Sequence, residues 1–463
     1  MAKVISQETF DDVVRENISD FDMSVEDAID DAVSQFESQG VNLLNIIKEP
    51  SLFTSGGDQT THEVVVAIEK ITNCLEGKTT DGLKDSLQKL KSECDTDLAR
   101  RCLAGKNGAY PVLMKALDIY KEEPVWLTDI LNTFCSLVNG QPDLLDEEGV
   151  TKLVSYVTIF PVSLKPLVIK LIGFLCVKHE QNRQLFVLND IINSLSELLA
   201  EYKSQPDLVK EICVGFRVLT LDDDIRVPFG KAHEHAKMIV TEGDALKRII
   251  DVCKDYCEDS VVLGELWSTL GCLAVRDEFC REVLDMGGLS LILNSFESNI
   301  NDKNLTRKCL SVMKALAGND TVKVSIVKSG GIELIVAAMT KHQTNAFIAE
   351  AGCATLMTVA LRNPGNCEKI MECNGHQAIV QAMKIHPTSS GVQKQGCMAL
   401  RNIVARSRQH CDAITELGVE DVINKARTRH NNLEDEAKAA LRDLGCKVEL
   451  REQWKGEHGS LVY

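Results

Sequence analysis

Aromatic residues are scarce, at 5% of the chain, and proline occurs only 10 times in 463 residues. A core left to Leu, Ile, Val, Ala, Met and Cys suits packed helices better than strands, which favour aromatic and β-branched side chains. The longest apolar run, LVIKLIGFLCV at 167–177, is too short to cross a bilayer and contains Lys170. No basic segment followed by an apolar one opens the chain, so no secretory leader is expected. Dense Lys and Arg are missing as well, and the net charge is −17. That balance argues against nonspecific binding to a phosphate backbone and against a basic membrane-surface helix. Neither nucleic acid nor membrane is expected as a partner.

The short signatures of catalysis are absent in the same way. There is no G-x-x-x-x-G-K-[ST] loop, and the GG pairs at 287 and 330 follow helical patterns rather than strands. The His-Glu pairs at 62 and 179 lack a second His three residues on, and Cys253 and Cys257 are four apart, not at C-x-x-C spacing. His410 and Cys411 are adjacent, so on a helix they point apart. No catalytic residue, metal or cofactor is expected, and the chain reads as non-enzymatic. Its 17 cysteines are an odd number and many sit inside apolar helical runs, where a thiol acts as a small hydrophobe. A reducing compartment follows, cytoplasmic or also nuclear.

What the sequence does have is repetition. GGIELIVAAM at 330–339, NGHQAIVQAM at 374–383 and LGVEDVINKA at 417–426 state one unit three times. AGCATLMTVAL at 351–361 and QGCMALRNIVA at 395–405 precede two of those copies. A Gly opens an apolar helix at 108, 149, 243, 288, 331, 375 and 418, with Asp190 in the same place. The intervals are 41, 41, 53, 45, 43, 44 and 43 residues. Within a unit a short helix ends at the marker Gly, whose tolerance of positive φ suits a tight turn. A second helix follows with Ile332, Ile335, Val336 and Met339 on one face. A longer third one carries Cys353, Leu356, Met357 and Ala360 at i, i+3, i+4, i+7.

The expected organisation is an acidic N-terminal helical segment (1–48), a linker (49–61), N-terminal helices leading into the array (62–94), the array (95–445, with an insertion at 221–237) and a tail (446–463). Residues 1–60 hold 13 carboxylates against Lys3, Arg15 and Lys48. Two amphipathic helices are expected there, which either cap the first repeat's apolar end, the preferred reading, or act as a second, mobile binding arm.

Three helices per unit and a period of 41–45 residues over most of its length make the array resemble the armadillo repeat family. The acidic N-terminal helices, the insertion and the ending KAALRDLGCKVELREQW at 438–454 resemble one member of it. The fold this implies is all-α: an armadillo-type right-handed superhelical solenoid of about eight three-helix repeats with extra N-terminal helices. The function it implies is a scaffold that binds a peptide or protein segment in a concave groove lined by third helices. Arg217, Trp267, Lys314, Thr358, Asn402 and Arg406 are the expected groove residues, their cations suited to acidic groups. Import adaptors of this family carry a Trp and Asn ladder at four-residue spacing. Here Trp267 is paired with Gly271 and Asn402 with Met398, which disfavours an import-type or nucleic-acid adaptor.

The 53-residue interval places about ten extra residues in LDDDIRVPFGKAHEHAK at 221–237. Asp222, Asp223 and Asp224 crowd like charges there, and His233 and His235 flank Glu234. In an extended loop both rings could face one way and bind a metal, but no Cys completes a tight zinc set. His-x-His also resembles the pattern used by a histidine methyltransferase, a possible partner that would modify His233 and His235. Glu234 departs from the small middle residue of that pattern.

Overall fold

The structure, a computed structural model, describes residues 3–53 and 61–448. Among them every regular element is helical: 27 α-helices and four 3-10 turns, with one isolated bridge from Lys3 to Val41. The chain forms two compact units, Met1–Gly243 and Asp244–Tyr463.

In the first unit, Gln7–Phe21 and Val25–Ser38 begin where serines can cap them, Ser6 accepting from the Thr9 N–H and Ser24 from the Asp27 N–H. Their inner faces gather Phe10, Val14, Ile29, Ala32 and Phe36 into one cluster, with the Phe10 and Phe36 ring centroids 6.1 Å apart. Leu43, Ile46, Ile47, Leu52 and Phe53 join it, and so does Ala99 from the first described short helix of the array. The acidic helices are therefore docked, covering apolar surface that a solenoid end would otherwise expose to water. This corrects the linker expected at 49–61 as far as Phe53. Pro50–Leu52 is a 3-10 turn, and Leu52 and Phe53 are buried. Residues 54–60 of that stretch and 449–463 of the tail lie outside the described residues. Gln7 clamps the returning chain from both sides, its Nε2 donating to the Ile47 carbonyl at 2.9 Å and its Oε1 accepting the Ile47 N–H at 2.7 Å.

Glu63–Gly77 and Leu83–Thr96, expected only to lead into the array, occupy second- and third-helix positions of a repeat without a first helix. They pack on Ala109–Ile119 and Pro124–Val138, the corresponding helices of the next repeat. Eight three-helix repeats follow along the chain, one with its first helix reduced to the 3-10 turn Pro142–Leu144. Third helices stack on one another inside each unit: Leu83–Thr96, Pro124–Val138, Lys165–Cys176 and Pro206–Leu219 in the first. In the second they are Ser260–Leu273, Lys303–Leu316, Ala346–Ala360, Ser390–Val404 and Glu434–Leu444. Asp259, Asp302, Asn345 and Ser389 open the first four of these, each side chain accepting a first-turn N–H. Second helices are tied from repeat to repeat by histidines. His342, His386 and His430 donate from Nε2 to the carbonyls of Ile300, Gln343 and Pro387, one repeat back, at 2.7, 2.8 and 3.0 Å.

The marker glycine has two uses, and only one is positive φ. Gly330 has φ 80°, while Gly331, the marker itself, is the first residue of the Gly331–Lys341 helix. A Cβ on Gly331 would stand 2.6 Å from Ile326 Cγ2 and 2.8 Å from the Ile326 carbonyl oxygen. Glycine is needed there so that the second helix can start against the end of the first. Gly331→Ala is expected to cost about 1–3 kcal/mol through overpacking. A chemical unfolding midpoint equal to the parent's would show that Ile326 gives way freely.

Candidate functional site

In the second unit the third helices leave one side open. On Lys303–Leu316 the residues Leu305, Cys309, Leu310, Val312, Met313 and Leu316 are buried, and Lys303, Arg307, Ser311 and Lys314 are exposed. The exposed four recur every three to four residues, so they form a single stripe along the helix. None of the three cations has a hydrogen-bond or ion-pair partner among the described residues. In a chain of net charge −17 this is a local excess of unpaired positive charge.

The next third helix, Ala346–Ala360, presents a different stripe. Phe347 is 70% exposed, Ala351 and Thr358 are half-buried, and Leu361 just past the helix end is 40% exposed. Thr358 donates its hydroxyl back to the Ala354 carbonyl at 3.0 Å, so that donor is taken within the helix. The helix that carries the cations thus packs on one with an exposed apolar side chain near each end. Arg406, exposed after Ser390–Val404, adds a further cation without a partner among the described residues, while Arg401 is held by Asp443 at 3.1 Å.

The expected groove residues fall in different environments. Lys314, Thr358 and Arg406 stand on or beside the open side of the second unit. Asn402 is half-buried, and its amide donates to the Met357 carbonyl at 2.9 Å, tying two third helices together instead of facing a ligand. Trp267 is corrected outright: it is fully buried, with its indole N–H donating to Ser295 Oγ at 3.1 Å. Its place beside Leu263, Leu266 and Leu270 puts it on the core stripe of Ser260–Leu273. Arg217 belongs to the first unit, half-buried and already engaged within the chain. One position per repeat does not reveal the stripe through Lys303 and Arg307, whose signal is four residues along one helix.

The insertion is also rearranged relative to expectation. His233 and His235 lie on a helix, Ala232–Thr241, not in an extended loop. Two residues turn the helix by about 200°, so the rings point apart. His233 is exposed, while His235 is 4% exposed and donates from Nδ1 to the Leu219 carbonyl at 2.9 Å. A shared metal geometry and a matched pair of modification targets are both lost. Only His233 has the exposure that a modifying enzyme needs.

The three aspartates do not simply repel one another. Asp223 accepts from the Lys178 N–H at 3.1 Å and from Arg183 Nη1 at 2.7 Å. Asp224 accepts from the Glu180 N–H at 3.0 Å and from Arg226 Nε at 2.9 Å. Arg226 reaches on to Asp143 Oδ1 at 2.9 Å, which also takes the Nε2 proton of His179 at 2.9 Å. That tautomer is fixed because His179 Nδ1 accepts the Asn182 N–H. The Arg226 guanidinium holds the Asp224 carboxyl far below the ordinary carboxylate range. Burial pushes Asp143 and Glu180 up, but their partners outweigh it and both titrate below normal. Carboxyls depressed in the folded state contribute stability above their unfolded values near about 4, and lose it as pH falls through the folded ones. Acid unfolding of the full chain between about pH 4 and pH 2 should therefore be less steep in an Asp143→Asn, Asp224→Asn variant. Identical pH profiles would remove these carboxylates from the acid response.

Residues 63–463 match the ARMC6 family model and residues 2–63 the Armadillo repeat-containing protein 6 N-terminal domain model. The boundary falls where the Glu63–Gly77 helix begins. The chain is 46% identical to Armadillo repeat-containing protein 6 of Homo sapiens, over 100% of this chain and 95% of that one. It is 44% identical to the Armadillo repeat-containing protein 6 homolog of Drosophila melanogaster, over 98% of each. Among solved structures, an engineered protein covers 94% of this chain and 98% of its own at TM-score 0.65 and 18% identity. A chain from work on the interaction between cadherin and beta-catenin covers 81% of this chain and 69% of its own, at TM-score 0.54 and 14% identity. At such identities the structural likeness speaks for the fold alone.

Proposed function

Because the chain belongs to the armadillo repeat-containing protein 6 family, we propose that it is a non-enzymatic protein-interaction scaffold whose second unit holds an extended acidic segment of a partner. The observation that carries this reading is the unpaired stripe of Lys303, Arg307 and Lys314 on a protein of opposite net charge. Repeat solenoids use their stacked helices as extended binding surfaces. Carboxylates laid along this stripe would meet cations that spend nothing on internal pairs, and an apolar side chain of the segment would settle on Phe347 and Leu361. The scaffold works in a reducing cytoplasm or nucleus. Its buried thiols suit that setting, burial pushing Cys353 up to about 12 and leaving it inert.

The test uses two labelled dodecapeptides of one design, a leucine among glutamates and a leucine among lysines, with binding followed by fluorescence anisotropy. The acidic peptide should bind, weaken as salt rises, and weaken roughly tenfold or more in Arg307→Glu, Lys314→Glu. Equal binding of both peptides, or an unchanged affinity in the double variant, would remove this face as the site.

A further inference from the structure

We propose that the arch between Asp224 and Lys231 is a second docking surface, a preformed apolar tip that inserts into an apolar, basic-rimmed cavity of another protein. Both feet of the arch are fastened to one residue. Glu180 gives its N–H to Asp224 Oδ2 at 3.0 Å and takes the Lys231 N–H on Oε1 at 2.7 Å. Glycine at 230 lets the second foot close: a Cβ there would lie 2.8 Å from Asp222 Oδ1 and 3.3 Å from Glu180 Oε2. Arg226 braces the span from within, through Asp224, Asp143 and the Lys178 carbonyl.

This frame presents side chains that a folded chain ordinarily hides. Ile225 is 96% exposed and Phe229 92% exposed, the highest values among large hydrophobics in the described residues, with exposed Pro228 beside them. A tip held in one conformation loses little entropy on binding, and aromatic side chains seated in pockets dominate interface energetics. The local charge selects the occupant. Residues 222–234 carry four carboxylates against Arg226 and Lys231; Asp223, Asp224 and Glu234 are paired with Arg183, Arg226 and Lys231, which leaves exposed Asp222 and no spare cation. An acidic arch with no spare cation repels lipid headgroups of negative charge and nucleic-acid phosphates. It complements a protein cavity with apolar walls and Lys or Arg at its rim. The extra residues that interrupt the repeat spacing thus build a surface distinct from the third-helix face, and either surface can fail without the other.

The experiment places the photoreactive p-benzoylphenylalanine at position 229 of the full chain in cells and maps the adduct by mass spectrometry. The expected adduct is to a protein, at an apolar position flanked by Lys or Arg. With that protein purified, Phe229→Ser should weaken binding roughly tenfold or more while the thermal unfolding midpoint stays with the parent's. Arg226→Gln, which loosens the frame and keeps both apolar side chains, should weaken it too. An adduct to lipid, to a second copy of this chain, or to nothing would overturn the proposal. So would undiminished affinity in either variant.

Discussion

Arg183→Met is expected to destabilise the first unit by about 3–5 kcal/mol, read as a lower urea midpoint at an unchanged slope. The guanidinium has no exposed surface. Its Nε donates to Glu180 Oε2 at 3.0 Å, and Nη1 donates to the Cys176 carbonyl at 2.9 Å and to Asp223 Oδ1 at 2.7 Å. Nη2 is also 3.0 Å from Glu180 Oε2, but it is misaligned and makes no hydrogen bond. Methionine fills much of the volume and supplies no charge, so the cost comes from the carboxylate left behind. The Glu180 side chain is 2% exposed and cannot turn to water. A second variant isolates that cause: Arg183→Met with Glu180→Gln removes the stranded charge and should recover part of the loss. If the single variant unfolds with the parent, or the pair is no better than the single, the buried ion pair is not what fastens the insertion to its repeat.

That network also shows where sequence reading stops. The repeat register was legible because apolar residues at helical spacing and a glycine every 41–45 residues through most of the array are local, periodic signals. The cation that Asp223 meets is not, since Arg183 lies 40 residues upstream and no periodicity links the two. Residues 41–53 give no such signal either, for a related reason. Leu43, Ile46, Ile47, Leu52 and Phe53 follow no single period, and they are buried by a partner surface that their own spacing does not announce. The histidine ties at 342, 386 and 430 could have been found, because they recur every 44 residues, but each reads as an ordinary helix-end polar residue until its carbonyl partner is seen. For the docking faces the sequence offered residue types without sides. Whether a cation on a third helix is paired, or a Trp looks outward, depends on which neighbouring helix it meets.

Trp267→Ala decides that question for the position where the family pattern and the local pattern disagree. A groove tryptophan would lose peptide binding on truncation and leave stability nearly intact. A core tryptophan does the reverse, and here the expected cost is about 3–5 kcal/mol, among the largest for any single substitution in the second unit. The side chain is fully buried, as are Leu263, Leu266 and Leu270 of the same helix, and Ser295, its hydrogen-bond partner, also donates to the Ile292 carbonyl at 2.9 Å. Removing the indole opens a cavity that stacked helices can collapse into only by shifting, and every shift is passed to Lys303–Leu316, the third helix packed against it. Trp267→Phe keeps an aromatic ring while giving up the N–H bond and part of the indole's volume, so it should cost less than Trp267→Ala. That bond should account for about 0.5–1.5 kcal/mol of the whole, the rest being packing. The acidic peptide affinity should stay with the parent in Trp267→Phe, whose unit remains folded at working temperature. Weakened peptide binding in a Trp267→Phe variant of undiminished stability would return the residue to the binding face and displace the stripe of Lys303, Arg307 and Lys314 from its role.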